Sequence, residues 1–217
     1  MLRHLLFDLD ETLYGPQTGL WEAIGERILS YMMVRLGLSR AEAEARRARY
    51  RREYGVALNG LMAEHAIDPD DYLHYVHDLP LDEYLQPDAA LNGMLARLPL
   101  PKAILTNSDR AHATRVLTRL DIARHFPTII DIRALELVNK PGPEAYERAL
   151  RLLKAQASEC LFIDDLPQNL APARQLGMMT IHVGHGRSNG APPPGADYGV
   201  ESVLAVERIV AGLIGQA

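Results

Sequence analysis

The fold is decided by the stretch Phe7-Asp8-Leu9-Asp10-Glu11-Thr12-Leu13, in which an apolar segment runs directly into two acids and a threonine. The segment 3–7 is short and apolar, as in a strand that is buried on both faces of a parallel sheet. Ligands of open α/β sheets bind outside the carboxyl ends of the strands. We therefore expect Asp8 and Asp10 at the edge of a site. On this motif alone, a pair of solvated loop acids at a strand end is an equally valid interpretation.

Further apolar runs of strand length follow this first one and alternate with helical patterns. They are residues 102–105, 128–130, 160–163 and 178–183. Helices are predicted after Ser108, where Ser108 or Asp109 would be the N-cap, over 143–154, and over 200–214. Short buried strands that alternate with helices predict an α/β fold, a doubly wound parallel sheet.

One region breaks this alternation. Residues 15–86 show helical periodicity and no strand, and they are bounded by Gly15-Pro16 and Gln86-Pro87. The simplest interpretation is a small helical domain inserted after the first strand, with residues 1–14 and 87–217 forming the core domain. Residues 184–195 are rich in glycine and proline and are predicted to form a loop.

The composition of the 217 residues excludes several classes of protein. A net charge of −5 disfavours nucleic acid and anionic membranes as partners, because both attract positively charged proteins. No apolar stretch approaches the roughly 20 residues of a membrane span, and the N-terminal run does not resemble a signal peptide. The single cysteine, Cys160, rules out an internal disulfide and fits a reducing compartment. We expect a soluble cytoplasmic protein.

Polar groups follow the other strands as well. Thr106-Asn107 follows the second strand, and Asp164-Asp165 follows the fourth. Lys140, one of only three lysines against twenty arginines, lies in a proline-stiffened loop before a helix. Close carboxylates repel one another unless a cation compensates them, and Mg²⁺ prefers oxygen ligands. The convergence of these groups predicts a Mg²⁺ site that handles phosphate.

In this order the residues resemble the motifs of the haloacid dehalogenase (HAD) superfamily. The matching residues are Asp8, Asp10 and Thr12 for the first motif, Thr106 for the second, Lys140 for the third, and Asp164-Asp165 for the fourth. The resemblance spans residues 3 to about 183. It implies a HAD-like Rossmannoid core, with the helical insertion in the position of the family's cap domain.

Within that superfamily the chain looks most like the pyrimidine 5′-nucleotidase branch. The segments that carry this likeness are 6–14, 54–61, 105–107, 140–146 and 162–165. Two residues depart from the branch pattern, since Asn59 stands where arginine is common and Gly142 where an acid is common. Gly55 and Gly60 suit a close approach to ligand or backbone, and we hypothesise that 54–61 is a loop closing over the site.

The resemblance implies a Mg²⁺-dependent phosphomonoester hydrolase. Asp8 would be the nucleophile that forms an aspartyl-phosphate, and Asp10 the general acid and base, a role that favours phosphate chemistry over dehalogenation. Burial and the charge of Asp8 would raise the pKa of Asp10. The metal ligands would be Asp8, the Asp10 carbonyl and Asp165, with Asp164 acting through water or hydrogen bonds.

The remaining implied roles concern the substrate. Thr106, Asn107 and Lys140 would hold phosphoryl oxygens, and Thr12 and Asn59 complete the predicted substrate-binding set, with Thr12 ordering the loop or Asp10. The expected partner is a small phosphorylated metabolite, a pyrimidine nucleoside monophosphate being favoured, and protein partners are left open. Two alternatives stay open: a phosphatase of phosphoglycolate or a sugar phosphate, and a non-catalytic binding module.

Overall fold

The computed structural model describes residues 1–186 and 192–215, and in these residues one parallel sheet organises the chain. Its six strands in the described residues are β1 (His4–Phe7), β2 (Lys102–Leu105), β3 (Thr128–Ile130), β4 (Cys160–Asp164), β5 (Met179–Val183) and β6 (Tyr198–Val200). Neighbouring strands are parallel throughout, in the order β3-β2-β1-β4-β5-β6. This order places β1 at the centre, between β2 and β4.

Helices connect the strands from β1 to β5, and one more helix follows β6. In the described part of the chain the α-helices are α1 (Leu20–Leu36), α2 (Arg40–Tyr54), α3 (Ala57–His65), α4 (Pro69–His77), α5 (Ala89–Arg97), α6 (Arg110–Arg119), α7 (Pro143–Leu153), α8 (Pro167–Gln175) and α9 (Val206–Gly215). Asp109 caps α6 by accepting a hydrogen bond from the His112 N–H, and Pro143 occupies the first turn of α7. Helical crossovers between parallel strands are the expected connection.

The core explains why the strands are so apolar. Leu6 and Phe162 belong to a buried cluster that includes Tyr146 of α7 and Leu170 of α8. Phe7, the next residue along β1, points to the opposite face and packs edge-on against Phe126 at 5.6 Å between ring centroids. Both faces of the sheet are therefore covered, and the predicted doubly wound α/β fold is confirmed.

The chain divides into two compact units. Unit 1 comprises Met1–Pro16 and Leu85–Ala217 and contains the sheet, whereas unit 2 comprises Gln17–Tyr84 and contains α1 to α4. In unit 2, α1 packs on α2 and α4, and α2 packs on α3. Tyr31 contacts Tyr72 and Tyr75 edge-on, and Tyr31 donates a hydrogen bond to Asp71. Unit 2 thus has a core of its own.

The segment 54–61 is a helical turn rather than a loop. It consists of the end of α2, a tight turn at Gly55 with φ of 82°, and the first part of α3. At Gly60 a Cβ atom would overlap the ring of Tyr50, so this glycine lets α3 approach α2 closely. The segment is therefore not a loop, because it is built into the helical packing, and the hypothesis that it closes over the site stays a prediction.

The C-terminal region differs from expectation in one further respect. The predicted helix over 200–214 begins later, at Val206, because residues 198–200 form β6 on the sheet edge. Only three residues long and with Gly199 at its centre, β6 has too little apolar pattern to be recognised. The loop predicted over 184–195 falls partly on residues 187–191, which lie outside the described residues. None of the described helices combines the length and the hydropathy needed to cross a lipid bilayer.

Candidate active site

The carboxyl ends of the three central strands bring the polar residues together. Phe7 of β1 is in register with Ile104 of β2 and Ile163 of β4. The residues that follow these three positions therefore lie at similar heights on one edge of the sheet. The Asp8 N–H donates to the Ile163 carbonyl at 2.8 Å, which fixes Asp8 beside the end of β4.

Three carboxylates form an acidic cluster at this edge. One oxygen from each of Asp8, Asp164 and Asp165 lies within 4.8 Å of the others. The Asp164 side chain is fully buried and accepts bonds from the Leu166 N–H and the Asn169 amide. Asp165 is only partly buried, so it is the more accessible of the two consecutive acids.

Lys140 supplies the positive charge of the cluster. Its Nζ donates to Asp8 Oδ1 at 2.7 Å and to Asp164 Oδ2 at 2.8 Å, and its side chain is 1% exposed. Burial alone would lower the pKa of Lys140, but the charges of Asp164 and Asp8 raise it well above its usual value. The lysine is therefore a permanent cation that links the ends of β1 and β4.

Asn107 holds the lysine loop in place. Its Nδ2 donates to the Lys140 carbonyl at 2.9 Å, and its Oδ1 accepts from the Lys140 N–H at 2.9 Å. The side chain was predicted to bind phosphoryl oxygens. In the structure it pairs with the backbone of Lys140 instead, so a substrate contact of Asn107 stays a prediction.

Thr12 connects two members of the acidic cluster. Its hydroxyl donates toward Asp165 Oδ1 at 3.0 Å and lies 3.3 Å from Asp8 Oδ2, and it accepts from the Asp165 N–H at 3.1 Å. Thr12 was expected to order the loop or Asp10, and its side-chain bonds reach Asp8 and Asp165 rather than the Asp10 carboxylate. Its assignment to substrate binding stays a prediction.

Asp10 has a different environment from Asp8. Its Oδ1 accepts hydrogen bonds from the Tyr14 hydroxyl at 2.7 Å and from His112 Nε2 at 2.8 Å, and its Oδ2 accepts from Ser108 Oγ at 2.7 Å. Burial raises the pKa of Asp10, but the charge and the hydrogen bond of His112, with the bonds from Tyr14 and Ser108, lower it below the usual range. The prediction that the pKa of Asp10 is raised is therefore wrong, since three donors stabilise its carboxylate.

The acidic cluster fits a divalent cation. Burial is the main cause that raises the pKa of Asp8, with Lys140 opposing the shift, and burial together with the charges of Asp8 and Asp164 raises that of Asp165. The single positive charge of Lys140 therefore does not neutralise the negative charge of the three carboxylates. Oxygen ligands with excess negative charge are what Mg²⁺ prefers. The Asp10 carboxylate is not part of this cluster, so a contribution of its carbonyl stays a prediction.

The structure places most of the predicted residues in one region of unit 1. These are Asp8, Asp10, Thr12, Thr106, Asn107, Lys140, Asp164 and Asp165. Thr106 is buried, and its Oγ1 accepts from the Ser108 N–H at 3.0 Å, so it shapes the turn after β2. Asn59 belongs to α3 of unit 2, and its role stays a prediction.

Three residues of this region were not identified from sequence as site residues. Tyr14, Ser108 and His112 are buried and all bond to Asp10. A signal does exist in the sequence, because Tyr14 stands four residues after Asp10, and Ser108 and His112 stand four apart around a helix start. Such spacings place side chains on one side of a turn or helix, but they do not show that these side chains contact Asp10.

A cavity opens beside the acidic cluster. It has a volume of about 230 Å³ and is lined by Glu11, Pro16, Asp165, His182, Val183, Gly184 and His185. Asp165 is shared between the cavity and the cluster. A small ligand in this cavity would therefore lie next to the carboxylates.

The geometry defines a class of protein. It is a doubly wound α/β protein with three carboxylates and a buried lysine at the carboxyl edge of its sheet. A family model described as haloacid dehalogenase-like hydrolase matches residues 2–177. The chain belongs to this family of hydrolases.

Individual relatives agree with this assignment. Phosphate metabolism protein 8 of Saccharomyces cerevisiae is 32% identical over an alignment of 189 positions, and the alignment covers 79% of this chain and 58% of that protein. Phosphoglycolate phosphatase of Pectobacterium atrosepticum is 28% identical over an alignment of 196 positions, and the alignment covers 87% of this chain and 83% of that protein. The chain spans less than two thirds of the yeast relative, and the match to bifunctional epoxide hydrolase 2 of Rattus norvegicus covers 15% of that protein.

Solved structures show the same fold at low identity. A HAD phosphatase from Thermococcus onnurineus has a TM-score of 0.63 at 18% identity and covers 97% of this chain and 99% of its own. L-2-haloacid dehalogenase from Xanthobacter autotrophicus has a TM-score of 0.61 at 17% identity and covers 98% of this chain and 100% of its own. Proteins with different names thus share this architecture, and the choice between activities rests on the site residues.

Proposed function

We propose that this protein hydrolyses small phosphate monoesters with the help of Mg²⁺. The observation that carries the proposal is the convergence of Asp8, Lys140 and the acid pair 164–165 on one edge of the sheet. The name of the phosphoglycolate phosphatase relative supports the reaction class. Such esters need a nucleophile, cations that hold phosphoryl oxygens, and a proton donor for the leaving group, and residues at this site can supply each of them.

Asp8 is the nucleophile in this proposal. Its carboxylate oxygen forms a bond to phosphorus while the bond from phosphorus to the leaving oxygen breaks, and Asp10 gives that oxygen a proton. In the second half, the oxygen of a water molecule bonds to phosphorus and the water gives its proton to Asp10. The bond between phosphorus and Asp8 then breaks, which restores both carboxyl groups and releases phosphate.

The other residues position the reacting groups. When bound by Asp8, Asp165 and the Asp10 carbonyl, Mg²⁺ supplies positive charge to the phosphoryl oxygens. Lys140, held by Asp164 and by the Asn107 clamp, supplies a second fixed charge. Asp10 is ionised at rest, and the negative charge of an incoming phosphate ester favours its protonation.

We propose unit 2 as the cap domain of this enzyme, with the predicted insertion 15–86 as its extent. In the sequence, unit 2 is inserted between β1 and β2, and candidate site residues follow both of these strands. An insertion at that point is suited to exclude water and to select the leaving group. Asn59 of α3 is our candidate for contact with that group.

A pyrimidine nucleoside monophosphate is the substrate that we favour, on the likeness of the segments around Asp8, Asn59 and Lys140 to the pyrimidine 5′-nucleotidases. Phosphoglycolate is the second candidate, because a relative named phosphoglycolate phosphatase aligns with 87% of this chain. We also propose a cytoplasmic location, since Cys160 is a free buried thiol, a state that a reducing compartment preserves.

Phosphate release from a panel of esters tests the proposal. The panel contains pyrimidine and purine 5′-nucleotides, sugar phosphates and phosphoglycolate, each with EDTA and with added Mg²⁺. We expect turnover that needs Mg²⁺ and is highest with pyrimidine 5′-nucleotides. If 5′-nucleotides rank no higher than sugar phosphates, the nucleotidase assignment is wrong while the hydrolase assignment stands.

The variant Asp8→Asn tests the nucleophile. It keeps the shape of the side chain and removes its charge, so kcat should fall by a factor of about 1,000 or more. Thermal stability in EDTA should be unchanged or higher, because a repelling carboxylate has left the acidic cluster. Retained turnover in this variant would contradict the covalent mechanism. A wild-type protein that releases no phosphate from any ester would instead indicate the non-catalytic binding module.

A further inference from the structure

The carboxylate of Asp10 is held by donors from two separate parts of the chain. Tyr14 comes from the turn after β1, and Ser108 and His112 come from the start of α6. All four side chains are largely buried, with His112 only 1% exposed. A buried carboxylate that is bonded from two directions has little freedom to rotate.

The two oxygens of Asp10 have different partners. Two donors, the Tyr14 hydroxyl and His112 Nε2, meet at Oδ1, whereas Oδ2 pairs with the Ser108 hydroxyl. An ionised carboxylate only accepts hydrogen bonds, so the proton of the His112 ring must lie on Nε2. Oδ1 is thereby committed to accepting.

This difference suits a group that must gain and lose a proton. With Asp10 protonated on Oδ2, Oδ1 still accepts from Tyr14 and His112. The Ser108 hydroxyl can still donate to a remaining lone pair of Oδ2, which leaves the Oδ2 proton available to the leaving oxygen. Both protonation states of Asp10 keep every hydrogen bond, and no side chain has to move.

We propose that His112 and Tyr14 are positioning residues that anchor Oδ1 of Asp10 and leave Oδ2 as the oxygen that exchanges a proton with the leaving group. The inference rests on the phosphatase function proposed above. Neither residue touches the reacting atoms. Their effect is to hold the carboxyl group in the orientation that proton transfer requires, and reactions of this kind lose rate steeply with misalignment.

Two esters with different leaving groups separate this role from a structural one. 4-Nitrophenyl phosphate releases a stabilised anion that needs no proton, whereas benzyl phosphate releases an alkoxide that does. The quantity compared is kcat/KM, which reports the steps up to the transfer of the phosphoryl group to Asp8. For His112→Ala we expect a loss of about 30-fold or more with benzyl phosphate and of less than about threefold with 4-nitrophenyl phosphate.

Two further variants keep the comparison informative if His112→Ala does not fold. In His112→Gln the side-chain amide reaches the place of Nε2 and still donates, so most of the activity on benzyl phosphate should return. Tyr14→Phe removes one hydroxyl only and should show the same preferential loss on benzyl phosphate.

The matched control is His125→Ala, since His125 is a partly buried histidine of unit 1 that pairs with Asn92. In this control variant, kcat/KM should equal the wild-type value for both esters.

Equal losses on the two esters, or no loss on either, would overturn the positioning role. Failure of His112→Gln to restore benzyl phosphate hydrolysis would also contradict it, because the restored donor is the feature on which the inference rests. A wild-type protein that releases no phosphate from these two esters or from any ester of the panel would overturn the proposed phosphatase itself, and the inference with it. The wild-type result therefore distinguishes the two failures.

Discussion

Lys140 shows how one side chain determines the charge balance of the candidate site. It is buried, and its ammonium group bridges Asp8 and Asp164 from two different strand ends. A buried ammonium group without carboxylate partners would carry a large desolvation cost. The lysine and the acids therefore require one another, and the placement of Lys140 depends on the residues that hold its loop.

The Asn107 clamp is the first of these determinants to test. Asn107→Ala removes both hydrogen bonds to the Lys140 backbone, which should lower the free energy of unfolding by about 1–3 kcal/mol. Because Lys140 would then be misplaced, kcat/KM for 4-nitrophenyl phosphate should fall by up to about 100-fold. Urea unfolding and steady-state kinetics measure the two effects.

Asn92→Ala is the matched control for this experiment. Asn92 also bonds to the backbone through its amide, at the carbonyl of Asp121, and none of its bonds reaches the acidic cluster. We expect a loss of stability without a change in kcat/KM. Equal kinetic losses in the two variants would show that the clamp has no specific role.

Cys160 allows a prediction about pH. Burial raises the pKa of its thiol to about 12, so the thiolate, which is the reactive form, is scarce in the folded protein at pH 8. Ellman's reagent should react slowly with the native protein at pH 8 and at once in guanidinium chloride.

The same shift fixes the sign of a stability effect. Because the folded pKa of Cys160 lies above that of the unfolded chain, its contribution to stability is full below about pH 8.5 and decreases as the pH rises toward 12. Fast stoichiometric labelling of the native protein would contradict the burial of this thiol.

At the level of single residues, the sequence predicted those whose position follows from a strand. Asp8, Thr106 and Asp164 come directly after or at the end of apolar runs, and parallel strands bring their ends to one edge. Tyr14 and His112 were not predicted, since their contact with Asp10 depends on the path of the turn after β1. In that turn Glu11 adopts a left-handed conformation with φ of 57°, which no apolar pattern reveals.

Among the helices, α2 and α3 pack at a distance that glycine permits. In Gly60→Ala the added methyl group overlaps the Tyr50 ring, so the variant should lose about 1–3 kcal/mol of stability. Urea unfolding followed by fluorescence of Trp21, which lies in α1 of the same unit, measures this change.

Gly93→Ala provides the contrasting substitution. Gly93 lies inside α5, and its nearest neighbour would be the flexible end of Arg97 at 3.4 Å from the added Cβ. Because alanine favours the helix and restricts the unfolded chain, we expect a gain of about 0.4–1 kcal/mol by circular dichroism. A similar loss at Gly60 and Gly93 would show that the contact with Tyr50 has no part in the effect.

At the level of elements, the positions of the strands in the sequence were easier to predict than the order of the strands in the sheet. The run 102–105 coincides with β2, because the three residues after Lys102 are apolar and buried, as in a strand that is covered on both faces. β6 was missed, since an edge strand of three residues carries almost no pattern. The order β3-β2-β1-β4-β5-β6 is a tertiary property that residue periodicity does not encode.

For the whole molecule, the acidic cluster predicts stabilisation by Mg²⁺. A ligand present at about 100 times its Kd adds about 2.7 kcal/mol to the stability of the folded state, and for a chain of this size each kcal/mol raises the Tm by about 2–4 °C. Thermal unfolding with Mg²⁺ and with EDTA should therefore differ by several degrees.

Asp165→Asn should abolish most of this difference, because it removes a carboxylate from the cluster. Asp121→Asn is the control, since Asp121 is an exposed acid whose partners are Asn92 and Arg124. It should keep the full Mg²⁺ response. An equal response in all three proteins would place the cation elsewhere.

Unit 2 is a single uninterrupted stretch, Gln17–Tyr84, while the residues of the acidic cluster and their lysine all belong to unit 1. Two recombination breakpoints in a gene are thus enough to exchange the whole helical insert and keep the acidic cluster and its lysine together. Chimaeras made at these junctions would inherit their reaction from one parent and their insert from the other.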